Sequence, residues 1–238
     1  MLSSIFSIPT RRARIDFGAT FGDIDGLFYE RGLHAAPLAQ DLAIARGRLG
    51  ITMATKSFEG ERVARAIVSH TSAAPLYEGL TVIAHPRPEL DAPLLIAEVS
   101  VTPAGVTRAF LDACGSTAGE FDALFRKPLS QTLDAAVASA VRRKRVPEWV
   151  DRISSGAGAR LAANPGRGHV IAYALLRYCE RWLEGLEAAG AASDPAANAA
   201  ATRAACDTFR THGRGARRMS RAFGEEFAAR WAGLVWNV

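Results

Sequence analysis

Glu98 has the setting that most strongly indicates chemistry, because it lies inside an apolar run of strand length, from Ala92 to Val101. Successive strand side chains alternate between two faces, and both faces of this run are largely apolar. One face holds Leu95, Ala97, Val99 and Val101, and the other holds Leu94, Ile96, Glu98 and Ser100. A carboxyl group there meets a cation, lines a polar cavity or keeps its proton to higher pH than usual. The last two properties suit a general acid; the alternative is a strand-end carboxylate that faces water.

Further candidates lie on a neighbouring strand and among the later arginines. Thr81 and His85 belong to a second apolar run, Leu80–His85, which we expect beside the Glu98 strand. Guanidinium groups can clamp carboxylates in a bidentate manner. For the four arginines of residues 214–221, the alternative interpretation is a solvated helix face with cations near its end. The arginines concerned are Arg160, Arg214, Arg217, Arg218 and Arg221.

The sequence lacks the common catalytic signatures. It contains no G-x-S-x-G elbow, no Walker A loop and no H-E-x-x-H motif. The five histidines have no ligand spacing among them, so we expect no metal site. The three cysteines are odd in number and widely spaced, which predicts neither a disulfide framework nor a zinc site.

The chain of 238 residues carries a net charge of +5, which favours an anionic partner. Its tight basic cluster, Arg142–Arg145, lacks the interleaved aromatic residues of a nucleic-acid platform. We therefore expect a solvated charged segment and no nucleic-acid partner. An acidic protein or a polycarboxylate ligand would also satisfy the charge. No signal peptide or membrane-spanning run is evident, so we expect a cytoplasmic protein without membrane contact.

The elements that position Glu98 are predicted to form an antiparallel pair. Leu80–His85 is typical of a strand that stops at Pro86, and the Glu98 strand follows after a turn-rich connection over residues 86–93. A turn is expected at Pro103–Gly105. A parallel crossover needs about a dozen residues or more, so these two strands must be antiparallel. This argues against a doubly wound nucleotide-binding sheet.

The remaining patterns favour helices, with strands first and helices afterwards in one α+β domain spanning residues 1–238. We predict a flexible N-terminal segment over residues 1–14. Residues 188–205 are rich in alanine and favour a loop or a short helix. Helical spacing is found over residues 41–48, 61–69, 130–145, 168–189 and 217–231.

Two stretches, residues 80–107 and 217–235, resemble one enzyme family. The first begins LTVIAHPRPELDAPLLIAEV and is similar, without gaps, to a strand, a P-x-P turn, an L-P-L-F-G-x-D strand and a following Gly-Val. The second contains AFGEEFAARW, which is similar to the terminal helix of the same family, A-F-G-E-x-W-A-E-R-Y. Weaker similarity joins them at residues 146–149 and 178–182. The family is the ferredoxin-dependent bilin reductases, which reduce biliverdin to phytobilins.

This resemblance implies a fold and a set of site residues. The implied fold is a three-layer α/β/α sandwich, in which a central antiparallel sheet is flanked by helices and the bilin lies between the sheet and the C-terminal helices. Glu98 falls where the family has its catalytic Asp, the proton donor to the tetrapyrrole. Thr81 falls at a position that is usually His or Asn. Ser69 falls where the reductases that make phycocyanobilin have a Glu that serves vinyl reduction.

The resemblance also implies how the substrate is held and reduced. Arg214 matches a basic residue that binds a propionate, and Arg160 lies near a second propionate-binding Arg; Arg218 is a further candidate for substrate binding. No cofactor is bound in the family, and the electrons come from reduced ferredoxin. We therefore expect two partners, biliverdin or a related linear tetrapyrrole and an acidic ferredoxin, and we expect a monomer.

Three departures from the family pattern concern the reaction itself. Glu98 keeps a proton donor but lengthens its reach by a methylene group relative to Asp. Thr81 removes a titratable or amide partner, and Ser69 argues against the vinyl-reducing subclass. The sequence-based hypothesis is reduction of a biliverdin-like bilin by successive single-electron transfers, with Glu98 as proton donor and Thr81 and His85 bonding the lactam edge or ordering water. The alternatives are a non-catalytic tetrapyrrole carrier and a reductase of chlorophyll-derived linear tetrapyrroles.

Overall fold

The computed structural model describes residues 17–73, 77–115, 119–139, 141–213 and 215–237. The strands are β1 (His34–Ala35), β2 (Ile44–Arg46), β3 (Thr52–Glu59), β4 (Val63–Ala73), β5 (Tyr77–Pro86), β6 (Leu94–Val101), β7 (Thr107–Cys114), β8 (Arg142–Lys144) and β9 (Ala159–Ala163). The helices are α1 (Phe17–Glu30), α2 (Gln40–Ala43), α3 (Lys127–Ala138), α4 (Glu148–Asp151), α5 (Gly168–Ala188), α6 (Pro195–His212), α7 (Gly215–Phe223) and α8 (Glu225–Trp236). A 3₁₀ turn covers Arg48–Gly50, and a π-helical segment covers Asp122–Arg126.

The strands, which differ in length, form one antiparallel sheet in the order β1-β3-β4-β5-β6-β7-β9-β8, and β2 also pairs with β3. The predicted pairing of the two central strands is confirmed, since Thr81 of β5 lies opposite Glu98 of β6. The predicted turn after β6 is confirmed as well. Gly105 takes a φ of 73° there, and its N–H donates to the Thr102 carbonyl at 2.8 Å.

Helices α1, α3 and α5 cover one face of the sheet. The helix predicted over residues 168–189 is confirmed as α5, and its apolar side chains are buried against Val82 and Ala97 of the central strands. Trp182 of α5 is fully buried, and its indole N–H donates to the Pro93 carbonyl at 2.9 Å. This hydrogen bond fixes the helix at the start of β6.

Helices α6 and α8 cover the opposite face, on which Ile83 of β5 and Ile96 of β6 lie. Phe209 of α6 and Trp231 of α8 pack against that face. Because both faces of the sheet are covered, β6 is apolar on both sides, as its sequence predicts. The α+β class and the three-layer sandwich with a central antiparallel sheet are thereby confirmed.

Two helical predictions in the first third of the chain were wrong. Residues 61–69 belong to strand β4, and residues 41–48 contain only a short helix before β2. β4 is rich in β-branched residues, which favour strands. Its central residues are buried on both faces. The strand therefore lacks the alternation of apolar and polar residues from which strands are predicted.

Three predictions in the second half need correction. The helix predicted over residues 130–145 ends at Ala138, and Arg142–Lys144 forms the edge strand β8, because it pairs with β9. Residues 188–205 contain the first part of the long helix α6, whose N-terminus is capped by Asp194 through the Ala197 N–H. The helix predicted over residues 217–231 is two helices, which are separated at Gly224 with a φ of 96°.

Within the described ranges, no helix is both long enough and apolar enough to cross a membrane. The segment 1–14, predicted as flexible, lies outside the described residues.

Candidate functional site

A row of cross-strand neighbours runs across the sheet on the face that α6 and α8 cover. Each member lies opposite the next in the strand register, so all of their side chains point to the same face. The row begins with the hydroxyl pair Thr55 and Ser69, whose oxygen atoms lie 3.0 Å apart. From β3 to β9 it consists of Thr55, Ser69, Thr81, Glu98, Phe110 and Arg160.

Above the centre of this row lies a cleft, formed by two adjoining cavities of about 510 and 470 Å³. The strands β5, β6, β7 and β9 form its floor, and α7 and α8 form its roof. Each volume falls within the range of small-molecule sites. The residues that line both cavities, and so mark the middle of the cleft, include Glu98, Arg108, Phe110, Arg160, Arg218 and Trp231.

Glu98 lies at the middle of the cleft and is partly exposed. Burial among apolar neighbours raises the pKa of its carboxyl group, and the positive charge of Arg218 opposes this rise. Burial is the larger effect, so the carboxyl group stays protonated to higher pH than usual. Thr81, its cross-strand neighbour, lines the same cavity and brings a hydroxyl group beside it. The arrangement suits a carboxylic acid that donates a proton to a bound molecule.

Three cations surround this carboxyl group. Arg108, Arg160 and Arg218 are exposed and line both cavities. Across the described ranges, none of their guanidinium groups forms an ion pair with a carboxylate, whereas Arg31 bonds Glu187 and Arg230 bonds Asp41. Guanidinium groups that converge on a cleft suit a ligand with carboxylate substituents.

Aromatic rings enclose the second cavity. Trp149 of α4 packs edge-on against Phe209 at 5.2 Å between ring centroids and stacks with His212 at 5.9 Å. Phe209 in turn stacks with Trp236 at 5.6 Å. Flat apolar walls combined with a few cations suit a planar, conjugated ligand that carries negative substituents.

The remaining predicted site residues lie differently. Ser69, a member of the cross-strand row, is buried and lines neither cavity. His85 lies on the same face as Thr81 but further along β5, fully buried, and its Nε2 bonds the Val235 carbonyl at 2.8 Å. Burial lowers the pKa of His85 to about 4, so the ring is neutral and Nε2 carries the proton. Arg214 lies outside the described residues.

Sequence reasoning missed several residues of the cleft. Arg108 is the cross-strand neighbour of Ser100, two positions from Glu98, so only the strand register brings it here. Tyr77 precedes Thr81 by four residues on β5. Because strand side chains alternate between faces, this spacing could have placed Tyr77 on the same face as Thr81. Trp231 lies at the end of the helix predicted over residues 217–231, and its buried indole N–H has no hydrogen-bond partner within the described structure.

No protein-family model matches the chain, and no curated protein sequence matches it either. Among solved structures, phytochromobilin synthase from tomato in complex with biliverdin matches with a TM-score of 0.78 and 17% identity, over 93% of this chain and 82% of that one. A structure of a protein named PcyX matches with a TM-score of 0.57 and 10% identity, over 91% of this chain and 95% of that one. At these identities the likeness shows a common fold.

Proposed function

We propose that this protein is a ferredoxin-dependent bilin reductase that acts on a biliverdin-like linear tetrapyrrole. Two lines of argument support the proposal: the resemblance of residues 80–107 and 217–235 to that family, and the fold shared with tomato phytochromobilin synthase, which was solved with biliverdin. The observation that carries it is Glu98, a carboxyl group of raised pKa at the middle of a cleft between the sheet and the C-terminal helices. Electrons come from reduced ferredoxin, one at a time.

In the proposed mechanism, Glu98 protonates the bilin or holds it protonated, so that the first electron of each pair produces a neutral radical rather than a radical anion. The raised pKa of Glu98 keeps its proton available to higher pH than an ordinary carboxyl group would. Thr81 hydrogen-bonds the lactam edge or orders a water molecule beside Glu98. Ser69, which bonds Thr55, supports Thr81 from the next strand.

The arginines hold the propionate groups of the substrate in this proposal. Arg160 and Arg218 line both cavities, and Arg108 joins them as a residue that sequence reasoning did not select. Arg214 is assigned to the same task by the resemblance alone.

His85 has a positioning role in this proposal rather than contact with the substrate. Its Nε2–H donates to the carbonyl of Val235 in α8, and its side chain lines neither cavity. By fixing the end of α8, His85 holds the helix that carries Trp231 over the cleft.

The decisive experiment is anaerobic incubation with biliverdin and reduced ferredoxin, with the products separated by chromatography. The wild-type protein should convert the pigment. Glu98→Gln should bind biliverdin, since the amide keeps the shape of the carboxyl group, and should lose about 100-fold or more of turnover, since it has no titrating proton. Wild-type turnover should fall as the pH rises through the raised pKa of Glu98, because only the protonated carboxyl donates.

The matched control is Glu89→Gln, which removes an exposed carboxylate outside the cleft and should leave turnover unchanged. Near-normal product formation by Glu98→Gln would remove Glu98 from the mechanism. A shifted but unchanging absorbance spectrum with the wild-type protein would indicate a carrier, and conversion of chlorophyll-derived tetrapyrroles alone would change the substrate.

A further inference from the structure

Reduction of a carbon–carbon double bond takes two electrons and two protons, and Glu98 provides one proton for each bond reduced. The first cavity offers few other donors. Of the described residues that line it, Glu98 and Tyr77 have side chains that can release a proton, because the arginines keep theirs and the threonine and serine hydroxyls do not titrate. The proposed function therefore leaves one proton without a donor, and Tyr77 is a phenol in the right cavity.

The position of Tyr77 depends on Gly79. Tyr77, Gly79 and Thr81 are alternate residues of β5 and share the cleft face. A Cβ atom on Gly79 would meet the Tyr77 hydroxyl oxygen at 2.5 Å and its Cζ at 3.0 Å. The phenol therefore lies along the strand, in the space that the missing side chain of Gly79 leaves free.

This geometry directs the hydroxyl group of Tyr77 toward the reacting centre. Gly79 lies opposite Ser100 of β6, one row of cross-strand neighbours before the pair Thr81 and Glu98. Two residues along a strand correspond to about 7 Å, a distance that one pyrrole ring can bridge. A ligand in the first cavity can thus contact the carboxyl group of Glu98 and the phenol of Tyr77 at once.

The surroundings of Tyr77 keep its phenol protonated before the reaction. Burial raises the pKa of the Tyr77 phenol, the positive charge of Arg218 opposes the rise, and the charge of Glu98 adds to it. The phenol is therefore protonated throughout the neutral range. Once it has given up its proton, Arg218 stabilises the resulting tyrosinate.

We propose that Tyr77 is the second proton donor of the reduction, held in place by the absence of a side chain at Gly79. The inference rests on the function proposed above. The first electron from ferredoxin enters the bilin protonated by Glu98 and gives a neutral radical. The second electron, from another reduced ferredoxin, and the phenolic proton of Tyr77 complete the two new C–H bonds, while two ferredoxins are oxidised. Solvent then restores both protons through the open cleft.

Tyr77→Phe tests this step by single-turnover reduction of the biliverdin complex, followed by absorbance and electron paramagnetic resonance. The variant should bind biliverdin within about twofold of the wild type, because the ring remains. It should form the radical at the normal rate and then accumulate it, with final product about 100-fold slower. A purely structural role would weaken binding or slow both steps alike. The matched control, Tyr173→Phe, removes an exposed hydroxyl on α5 and should behave as the wild type.

Gly79→Ala keeps the phenol but displaces it, since the new Cβ would overlap the Tyr77 hydroxyl. It should accumulate the same radical. The double variant should be at most about twofold slower than Tyr77→Phe, because both changes remove the same function. Wild-type product formation by Tyr77→Phe would overturn this inference alone. Radical accumulation in His212→Gln instead would move the role to that residue of the second cavity. Absence of wild-type turnover would refute the proposed function, and this inference with it.

Discussion

Two buried ionisable side chains on the cleft face of the sheet have opposite effects on how stability varies with pH. Burial raises the pKa of Asp112 from 3.8 to about 6, although the Ala113 N–H donates to its carboxylate at 2.8 Å. Burial lowers the pKa of His85 from 6.5 to about 4. Both residues therefore favour the uncharged form in the folded protein, and both lie almost wholly out of contact with solvent.

The signs of these two effects follow from proton binding. Between pH 4 and 6 folded Asp112 holds a proton that the unfolded chain has released, so its contribution to stability falls as the pH rises. Between pH 6.5 and 4 the unfolded chain binds a proton at His85 that the folded protein excludes, so the contribution of His85 falls as the pH drops. At about 1.4 kcal/mol for each unit of pKa, each effect amounts to about 3 kcal/mol and largely cancels the other.

We predict that single variants will separate these two contributions. Relative to the wild type, Asp112→Asn should gain unfolding free energy as the pH rises from 4 to 6, by up to about 3 kcal/mol. His85→Gln should gain a similar amount as the pH falls from 6.5 to 4. Urea denaturation at half-unit pH intervals measures both. Differences from the wild type that do not vary with pH would show that these groups titrate normally.

At the scale of elements, the roof of the cleft depends on the break between α7 and α8. Gly224 takes a φ of 96°, which side-chain-bearing residues rarely adopt, and its N–H donates to the Ser220 carbonyl at 2.9 Å. This turn allows α7 to leave the line of α8 and to lie over the sheet, where it presents Arg218 and Phe223 to the cavity. The backbone carbonyl of Ala222 also lies against Gly47, in the loop before the 3₁₀ turn.

We predict that Gly224→Ala will strain this turn by about 1–3 kcal/mol and tilt α7 away from the cleft. Its melting temperature should fall and its dissociation constant for biliverdin should rise. The control is Gly22→Ala within α1, where a Cβ meets nothing and the helix should gain up to about 1 kcal/mol. Unchanged stability and binding in Gly224→Ala would contradict the role given to the turn.

The elements differ in how far the sequence could predict them. The β5–β6 pair was predictable because prolines bound two short apolar runs, and α5 was predictable from its long apolar stripe. Strand β4 was not, because its burial on both faces removes alternation. Strand β8 forms only because β9 supplies its hydrogen-bond partners, and Arg142–Lys144 carries no local strand signal.

The same distinction applies to the cleft. Glu98, Thr81, Arg160 and Arg218 line it and were selected from composition, strand period or resemblance. Arg108 was missed, since its position depends on the register of β6 with β7, and register is a property of the folded sheet.

At the scale of the whole molecule, positive charge is the feature that bears on the proposed electron donor. The net charge is +5, and the arginines of the cleft add a local positive field there. A field of this kind speeds association with an acidic protein and is screened by salt. The proposed partner, an acidic ferredoxin, fits this distribution.

We predict that turnover at sub-saturating ferredoxin will fall steeply as the ionic strength rises from about 0.05 to 0.3 M, because the screening length shrinks from about 14 to 6 Å. Steady-state rates across a salt series measure the effect. A cationic viologen radical as donor provides the control, and its rate should not decrease with salt. Ferredoxin turnover that is insensitive to salt would argue against electrostatic steering.

The distribution of the four tryptophans gives the cleft a built-in optical reporter. Trp149, Trp231 and Trp236 line its cavities, whereas Trp182 is buried on the far side of the sheet. A pigment that absorbs near-ultraviolet light and lies against the first three will accept their excitation energy most efficiently, since transfer weakens steeply with distance. Occupancy should therefore dim the emission of the tryptophans, and most strongly that of these three, without any added label.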